Sequence, residues 1–323
     1  EINGTNIEAV SSDPANPVVG QVWYNTTTNV VKGMAATTVG AWATGGNLNL
    51  GREQLSGVSV GTQTAGLVFS GDTPTPGGTA VTEKYNGSSW TEVNDLNGAK
   101  RAVMGYGTQT SAVCAGGFQP SETVNVETFN GTSWTEVANL NTARASGAGA
   151  GADNTSGIVF AGNNGTANVA ITESWDGSSW SEVADLNTAR NSLSSTGTAT
   201  SALAIGGSPF SGITESWNGS SWTEVGDLST PRERTNAGGT DSTSAIVFGG
   251  ATPGYTVSAL TEIWNGSSWT ETTDMATARY SLAGGGSATS ALGAGGSSPA
   301  GKVTTTEEFL GAGSPLVQTF TDS

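Results

Sequence analysis

The sequence contains no histidine and a single cysteine, Cys114. Without histidine, the chain lacks the side chain that most often exchanges protons near neutral pH, which excludes a Ser-His-Asp triad and most transition-metal sites. A single cysteine excludes internal disulfides and thiolate metal cages. We therefore expect a protein that holds no metal or other cofactor and that is not an enzyme.

Basic residues are also scarce. Lysine and arginine together number 11 against 27 acidic residues, so the formal net charge is −16. Nucleic-acid binding depends on lysine and arginine that neutralise phosphates, and an anionic membrane surface repels an acidic chain for the same reason. No apolar run approaches the roughly 18 residues that a membrane helix needs. We expect neither nucleic acid nor membrane insertion.

Glycine is abundant, at 48 of the 323 residues, and the chain has 10 tryptophans. The core must therefore be built from small residues and tryptophan rather than from leucine and isoleucine. A glycine-rich and β-branched sequence with a short period is typical of an all-β protein with many turns.

One phrase recurs five times, and its first copy, at 82–93, reads TEKYNGSSWTEV. A tryptophan marks the same position in each copy, and the copies lie roughly 45 residues apart, the length of one propeller blade. These residues are Trp90, Trp134, Trp180, Trp222 and Trp269.

Each repeat divides into four short strands, which we call A to D. In the third repeat we predict them at 146–152, 156–161, 170–175 and 179–184. The Asp-Gly dipeptide at 176–177 favours a two-residue type I′ turn between C and D. That turn would place Trp175 opposite Ser178 and Glu173 opposite Trp180, and period-two alternation puts Glu173, Trp175 and Trp180 on one face.

Four features recur in these repeats: a double glycine that closes strand B, an aromatic residue on C, a tryptophan on D and an arginine before the next A. In these features the chain resembles the kelch-repeat family over about residues 40–310. The first and third repeats depart from the pattern, with Ser70-Gly71 and Ala161-Gly162 in place of the double glycine. The resemblance implies a kelch-like β-propeller.

A count of strands predicts the number of blades. Five of the repeats have a D strand that carries tryptophan. The last repeat, which contains Phe309, has no such D strand. The segment Ala41-Trp42-Ala43 supplies the missing strand from the other end of the chain. Complete sets of strands A to C follow six arginines: Arg52, Arg101, Arg144, Arg190, Arg232 and Arg279.

The sequence thus predicts an all-β, six-bladed propeller at 40–311, closed by an N-terminal strand. Residues 1–39 form an N-terminal attachment segment with a short hairpin, and 312–323 form a C-terminal extension strand. A seven-bladed ring is the alternative, and it would require 18–36 and 312–323 to form another blade.

A glutamate recurs on strand C of every repeat. A residue present in every blade meets a need that every blade has, so we interpret these glutamates and the repeated arginines as structural pairs rather than catalytic groups. We predict that each is buried with a polar partner, since an unpaired buried carboxylate is strongly destabilising. The glutamates are Glu83, Glu127, Glu173, Glu215, Glu262 and Glu307.

The loops between strands B and C differ among the repeats in length and content, and variable loops on a rigid scaffold are a candidate recognition surface. Ordinary loop variation is the alternative. The dipeptide Glu233-Arg234 after Arg232 begins to resemble the charged site of a glycan-cleaving enzyme, but a second non-repeated carboxylate is missing nearby. The candidate binding residues are Phe118, Gln119, Phe210, Tyr255, Arg232 and Arg234.

Residues 1–39 do not follow the blade pattern. Gln21–Asn25 and Val30–Gly33 are strand-like runs behind a proline-containing connector, which predicts a hairpin. The phrase NPVVGQVWYNTTTNVVKG resembles hairpin segments of tail-fibre and other structural proteins of tailed bacteriophages. The resemblance implies an extracellular virion surface protein whose propeller contacts a host-surface glycan or protein.

The two ends of the chain are candidates for assembly. Leu316–Phe320 is a strand-like run without an assigned partner, and unpaired strand edges invite pairing with another chain. We expect at least one terminal segment to pack against a neighbouring virion or fibril subunit, through Trp23 and Tyr24 or through Leu316 and Phe320. The alternative to a virion protein is a secreted bacterial adhesin or fibril subunit that assembles through the same segments.

Overall fold

The computed structural model describes residues 7–15, 17–36, 39–58, 60–75, 77–312 and 315–320. The regular elements among these residues are all β-strands, as the sequence predicts. No helix long and apolar enough to cross a membrane occurs among them. The chain divides into two compact units: Trp42–Phe309, which we call the ring unit, and a terminal unit formed by Glu1–Ala41 with Leu310–Ser323.

Seven four-stranded sheets account for most of the strands in the described residues, and we number the six that follow the repeats along the chain. The strands that precede them are β1 (Glu8–Val10), β2 (Val22–Asn25), β3 (Val30–Ala36) and β4 (Ala41–Thr44). Sheet 1 contains β5 (Ser56–Gly57), β6 (Leu67–Phe69), β7 (Thr82–Tyr85) and β8 (Trp90–Val93). Sheet 2 contains β9 (Met104–Thr108), β10 (Ser111–Ala115), β11 (Val126–Phe129) and β12 (Trp134–Glu136). Sheet 3 contains β13 (Ala148–Asp153), β14 (Ser156–Phe160), β15 (Thr172–Trp175) and β16 (Trp180–Val183).

The second half of the chain continues the pattern. Sheet 4 contains β17 (Ser194–Thr198), β18 (Ser201–Ile205), β19 (Thr214–Trp217) and β20 (Trp222–Glu224). Sheet 5 contains β21 (Asn236–Asp241), β22 (Ser244–Phe248), β25 (Thr261–Trp264) and β26 (Trp269–Glu271), with a ribbon of β23 (Ala251–Thr252) and β24 (Thr256–Val257) between its second and third strands. Sheet 6 contains β27 (Ala283–Ser287), β28 (Ser290–Ala294), β31 (Thr306–Leu310) and β4, with a ribbon of β29 (Ser297–Ser298) and β30 (Gly301–Lys302), and β32 (Pro315–Phe320) follows.

The first strands of the six sheets contact one another in cyclic order, and β27 of sheet 6 returns to β5 of sheet 1. A closed belt of six backbone hydrogen bonds joins the sheets just before these strands begin. All six belt residues have a positive φ of 52° to 57°, a left-handed conformation that reverses the chain direction sharply. Each belt residue donates its N–H to the carbonyl of the next, and the last donates to the first: Gln54, Ser281, Arg234, Ser192, Ser146 and Ala102.

The fourth-strand tryptophans also join neighbouring sheets. In sheet 2, Val126 occupies the position of a threonine, and Trp180 donates to the carbonyl of Ala138 at 3.1 Å instead. Elsewhere the indole N–H donates to a threonine hydroxyl on the third strand of the preceding sheet, at 2.9–3.1 Å: Trp134 to Thr82, Trp222 to Thr172, Trp269 to Thr214, Trp42 to Thr261 and Trp90 to Thr306. Trp42 makes the same contact as the others, so β4 completes the sheet that contains Phe309, as the sequence predicts.

The register of the third and fourth strands differs from the prediction. Trp175 lies opposite Trp180 and Glu173 opposite Glu182, so four residues rather than two form the loop. Only the glycine of the dipeptide at 176–177 has a positive φ, and the Asp side chain instead accepts hydrogen bonds from the backbone N–H groups of residues 178 and 179. This side-chain cap stabilises a longer turn than the dipeptide alone suggests. The two tryptophan rings consequently pack directly, 5.2 Å apart.

The recurrent glutamates are buried in every sheet, with at most 4 % of their surface exposed, and each has a basic partner, which confirms the prediction. Glu83 is representative. One of its oxygens accepts from the Arg52 guanidinium at 2.8 Å, and the other accepts from both nitrogens of Asn49, each at 2.8 Å. The glutamate thus attaches the incoming connector to the third strand of the sheet.

Sheet 2 departs from the predicted pairing. The partner of Glu127 is Lys100, at 3.0 Å, and not Arg101. Lys100 is 3 % exposed and lies two residues before the belt residue Ala102, where the other sheets carry arginine. Arg101 is one residue too late to point toward the glutamate. It forms an ion pair with Asp72 at 3.4 Å and lies over the ring of Phe118.

The terminal unit is a sheet of its own in the order β1-β2-β3-β32. β2 and β3 form the predicted hairpin, β1 runs parallel to β2, and β32 pairs antiparallel with β3 from Val31–Phe320 to Ala36–Pro315. Leu316–Phe320, to which the sequence assigned no partner, therefore pairs within the chain, and strands from both ends of the chain form one sheet. The side chains of Leu316 and Phe320 lie outside the described residues.

Asp13 joins the connector to the hairpin. Its carboxylate accepts from the Trp23 indole at 3.1 Å, the Asn25 amide at 2.8 Å and the Lys32 ammonium at 2.7 Å. The hydrogen bond from Lys32, followed by those from Asn25 and Trp23, lowers the pKa of Asp13 to about 2. Trp23 is fully buried, so its side chain is not available to a partner, contrary to the prediction. Tyr24 is half-buried and donates its hydroxyl hydrogen to Asn29.

Glu173→Ala should lower the free energy of unfolding by about 3–5 kcal/mol, because the Arg144 guanidinium would remain buried without its carboxylate. Equilibrium urea denaturation measures this. Glu182→Ala is the matched control, since Glu182 lies directly opposite on β16 but is exposed, and it should change stability by less than about 0.5 kcal/mol. Equal effects of the two substitutions would contradict the structural role of the pair.

Trp42→Ala should lower the free energy of unfolding by about 3 kcal/mol, in the range for tryptophan truncation. Its ring packs 5.0 Å from Phe248 and 5.3 Å from Phe309, and its strand closes sheet 6. Thermal denaturation compares it with Thr44→Ala, an exposed site on the same strand. If both variants have the same midpoint of thermal denaturation as the wild type, β4 does not stabilise the closed arrangement of the sheets.

Candidate functional site

The ring unit contains a central cavity of about 330 Å³. All six belt residues line it, together with the segments that lead into the first strands of the six sheets. These segments are rich in small residues because the sheets approach one another most closely here: a Cβ at Gly105, for example, would meet the Ser56 hydroxyl at 2.4 Å. The cavity lining contains no aspartate or glutamate among the described residues.

Hydroxyl and amide groups supply most of the polarity of the cavity wall. Their donors and acceptors are neutral, which suits a polyhydroxylated ligand better than an ion. Asn236 contributes a buried amide nitrogen that has no hydrogen-bond partner among the described residues. The lining residues of this kind include Ser56, Ser146, Asn191, Ser194, Ser281 and Asn236.

One belt residue differs from the others in carrying a charge. Arg234 is held in the belt by its backbone, and its side chain is 32 % exposed. The guanidinium lies 5.7 Å from the ring centres of both Tyr255 and Tyr280, and Tyr255 makes an edge contact with Phe210 at 5.0 Å. We call Phe210, Arg234, Tyr255 and Tyr280 the aromatic cluster.

Tyr255 is the most exposed member of the cluster, with 62 % of its surface accessible. Large exposed apolar side chains on the described part of the ring unit are otherwise not found. An exposed aromatic ring beside a stacked guanidinium provides a flat apolar face and hydrogen-bond donors together, the combination that is enriched in binding sites.

Glu233 contacts the aromatic cluster through the guanidinium of Arg234. It is 1 % exposed, and one carboxylate oxygen lies 3.4 Å from Nε of Arg234. Its other oxygen is buried without a hydrogen-bond partner among the described residues. The carboxylate therefore orients the guanidinium, and it is buried too deeply to stand in open contact with a ligand.

The structure brings together three of the predicted binding residues, Phe210, Tyr255 and Arg234. Arg232 is not a binding residue: it is fully buried, and its guanidinium donates to Glu262 at 2.7 Å. Burial lowers the pKa of Arg232, and attraction to Glu262 opposes that shift. Its place in the repeat, equivalent to Arg144 and Arg190, explains why it serves the structural pair.

Phe118 and Gln119 lie apart from the cluster. Phe118 is half-buried and stacks with Arg101 at 4.9 Å, and Gln119 is exposed beside a second cavity in sheet 2. Tyr280 was not predicted, because it directly follows a repeated arginine and is not on a variable loop. The signal that could have found it is that the residue after the repeated basic side chain varies among the sheets, as at Ala145 and Asn191, and is aromatic only here.

Cys114 does not contribute to either cavity wall. It is fully buried on β10, and burial raises the pKa of its thiol to about 12. The thiol is therefore neutral at physiological pH, and it makes a hydrogen-bond contact with the Lys100 side chain.

Comparison with known proteins identifies the fold. No family model matches the chain, and no curated protein matches it. A solved structure described as "Structure of YjhT" superposes with a TM-score of 0.68, covering 85 % of this chain and 99 % of that chain at 14 % sequence identity. Identity this low is evidence for the fold alone. The repeated four-stranded antiparallel sheets together with this likeness establish a β-propeller fold.

Proposed function

We propose that the ring unit is a closed six-bladed, kelch-like propeller, with sheets 1 to 6 as its blades and the terminal sheet not counted among them. The belt supports this, because its six hydrogen bonds return to their starting residue without any residue of the terminal unit. The Trp42–Thr261 contact supports it as well, since β4 there occupies the place of a fourth strand.

The propeller serves as a non-enzymatic binding module, and its ligand is a glycan on a host cell surface. The observation that carries this proposal is the aromatic cluster beside a cavity walled with hydroxyl and amide groups. The apolar faces of a sugar ring pack on aromatic side chains, and its hydroxyls need neutral donors and acceptors placed around a largely apolar contact. A protein epitope is the other ligand class that an exposed tyrosine and arginine would suit.

A binding role fits the carboxylates of the site better than hydrolysis does. Glycoside hydrolysis usually requires two carboxyl groups that flank the scissile bond, about 5–10 Å apart. At the aromatic cluster Glu233 is the nearby carboxylate, and it is already paired with Arg234. This favours recognition without cleavage.

Within this proposal the protein is a virion structural protein of a tailed bacteriophage, a tail fibre or capsid appendage located on the virion surface. The hairpin phrase at 16–33 supports it by its resemblance to tail-fibre segments. The alternative is a secreted bacterial adhesin or fibril subunit. Both place the propeller outside the cell and attach it to other subunits through the terminal unit, and the particle from which the native protein is isolated distinguishes them.

Tyr255→Ala should weaken binding of the full chain to host-surface glycans at least tenfold, or about 1.4 kcal/mol. Binding to a glycan array followed by titration calorimetry on the best ligand measures this. Phe118→Ala is the matched control, an aromatic residue of another variable loop outside the cluster, and its affinity should equal that of the wild type. If the Tyr255 variant binds normally, the aromatic cluster is not the binding site. If the wild type binds only a host protein, the ligand is not a glycan.

The terminal unit carries the assembly proposal. Among the described residues, the large apolar side chains that are most exposed, apart from Tyr255, belong to it: Ile7, Val18, Val19 and Val39, at 39 %, 68 %, 54 % and 63 %. Exposed apolar residues grouped in one small unit are typical of an interaction surface. β32 is also an edge strand of its sheet, so one row of its backbone groups faces away from β3.

Val18→Lys combined with Val19→Lys should abolish incorporation of the full chain into its particle or fibre, since two charges would replace an apolar contact. Co-purification with particles and light scattering of the isolated chain measure this. A lysine at Thr91, an exposed position on β8, adds charge to the ring unit as the control. Normal incorporation of the double variant would contradict the role of this surface.

A further inference from the structure

Sheet 2 breaks the repeat at two positions that face the same space. Lys100 replaces the arginine of the other five sheets, and Gly98, two residues earlier, replaces a leucine or threonine such as Thr142 or Thr188. A Cβ at Gly98 would meet only the side-chain oxygen of Gln119, at 3.8 Å. The glycine is therefore not required by backbone crowding, and its effect is to leave room.

In sheets 3 to 6 the arginine does more than pair with glutamate, whereas in sheet 1 the other guanidinium nitrogens of Arg52 have no partner among the described residues. In sheets 5 and 6 the guanidinium also donates to the backbone carbonyl two residues before that glutamate, at 2.6 Å from Arg232 to Leu260 and from Arg279 to Thr305. In sheets 3 and 4 it donates to the carbonyl two residues before itself, such as that of Thr188 at 3.2 Å from Arg190. Each of these two carbonyls accepts from a guanidinium in two of the sheets, and together they offer two acceptors to a planar group with several N–H donors.

The equivalent carbonyls in sheet 2 belong to Asn125 and Gly98. The compact ammonium of Lys100 reaches Glu127 at 3.0 Å, and it makes no hydrogen bond to either carbonyl among the described contacts. Both residues instead line a cavity of about 220 Å³, together with Lys100, Glu127, Glu136 and Gln119. Gln119 and Glu136 are exposed, so the cavity has access to solvent.

The charges around this cavity favour a cation. Lys100 neutralises Glu127, whereas Glu136 forms no ion pair or side-chain hydrogen bond among the described residues. A monovalent cation would therefore balance the charge of the lining. The volume suits a group of a few heavy atoms, and it is below the usual size of a drug-like pocket.

We propose that the sheet 2 cavity binds a guanidinium group, supplied either by an arginine side chain of a partner or by a small free guanidine. The group takes the acceptors that the missing arginine leaves, the carbonyls of Asn125 and Gly98, with the carboxylate of Glu136 as counter-charge. Lys100 keeps its ion pair with Glu127, so the structural contact of sheet 2 is retained. This site is separate from the aromatic cluster and does not depend on its function.

Titration calorimetry of the full chain with methylguanidinium chloride, at constant total chloride, tests the proposal. We expect one site per chain and at least tenfold weaker binding of methylammonium, which lacks the planar donor set. Lys100→Arg should abolish the binding, because its own guanidinium would donate to these carbonyls as the arginines of sheets 3 to 6 do to theirs. Glu136→Gln should weaken it severalfold, while Glu182→Gln, the equivalent exposed residue of sheet 3, should leave it unchanged.

An arginine-containing tripeptide with blocked ends distinguishes the two sources. Tripeptide binding as tight as that of methylguanidinium would identify a partner side chain, and binding of methylguanidinium alone would identify a free guanidine. If neither compound binds, the cavity holds only water and the proposal is wrong. Binding that persists unchanged in Lys100→Arg, with the variant folded by circular dichroism, would overturn it as well.

Discussion

The buried carboxylate on the third strand of each sheet is the interaction on which the rest of the ring depends. Glu83 shows how it works: one oxygen holds Arg52, and the other holds Asn49 of the connector that arrives from the preceding strand. Because the charge is removed from water, the carboxylate is tolerated only while both partners are present, and removal of one is far more destabilising than removal of a surface pair. The pair therefore fixes the path of the connector within narrow limits.

The geometry at the ring centre follows from that anchor. Two residues after each buried basic side chain the chain adopts a positive φ, and its N–H points at the preceding belt residue. In sheet 5 the same arrangement has a functional consequence, because Arg232 is fixed by Glu262 and Arg234 is thereby held at the cavity. The structural pair positions the candidate binding residue, although it does not itself contact a ligand.

Repeated and non-repeated residues thus have different roles in this chain. The glutamates, tryptophans and threonines recur because every interface between sheets has the same geometry. The aromatic cluster and the Lys100–Gly98 substitution each occur once among the described sheets, and each coincides with a cavity. A symmetric scaffold with local departures from symmetry allows a site to change without loss of the fold.

The sequence by itself determined the strand content, the burial of the recurrent glutamates and the placement of Trp42 beside Phe309, because these follow from period-two alternation and from a repeat that can be counted. It did not determine the four-residue loops, since a capping Asp or Asn side chain competes with the tight turn that Asp-Gly favours. Nor did it distinguish Lys100 from Arg101, where a shift of one residue turns a side chain to the opposite face. Only the tertiary structure decided that β32 pairs with β3 and that Tyr280 meets Tyr255 across Arg234. Both contacts join segments that are separated in sequence, and no local pattern specifies which of these segments meet.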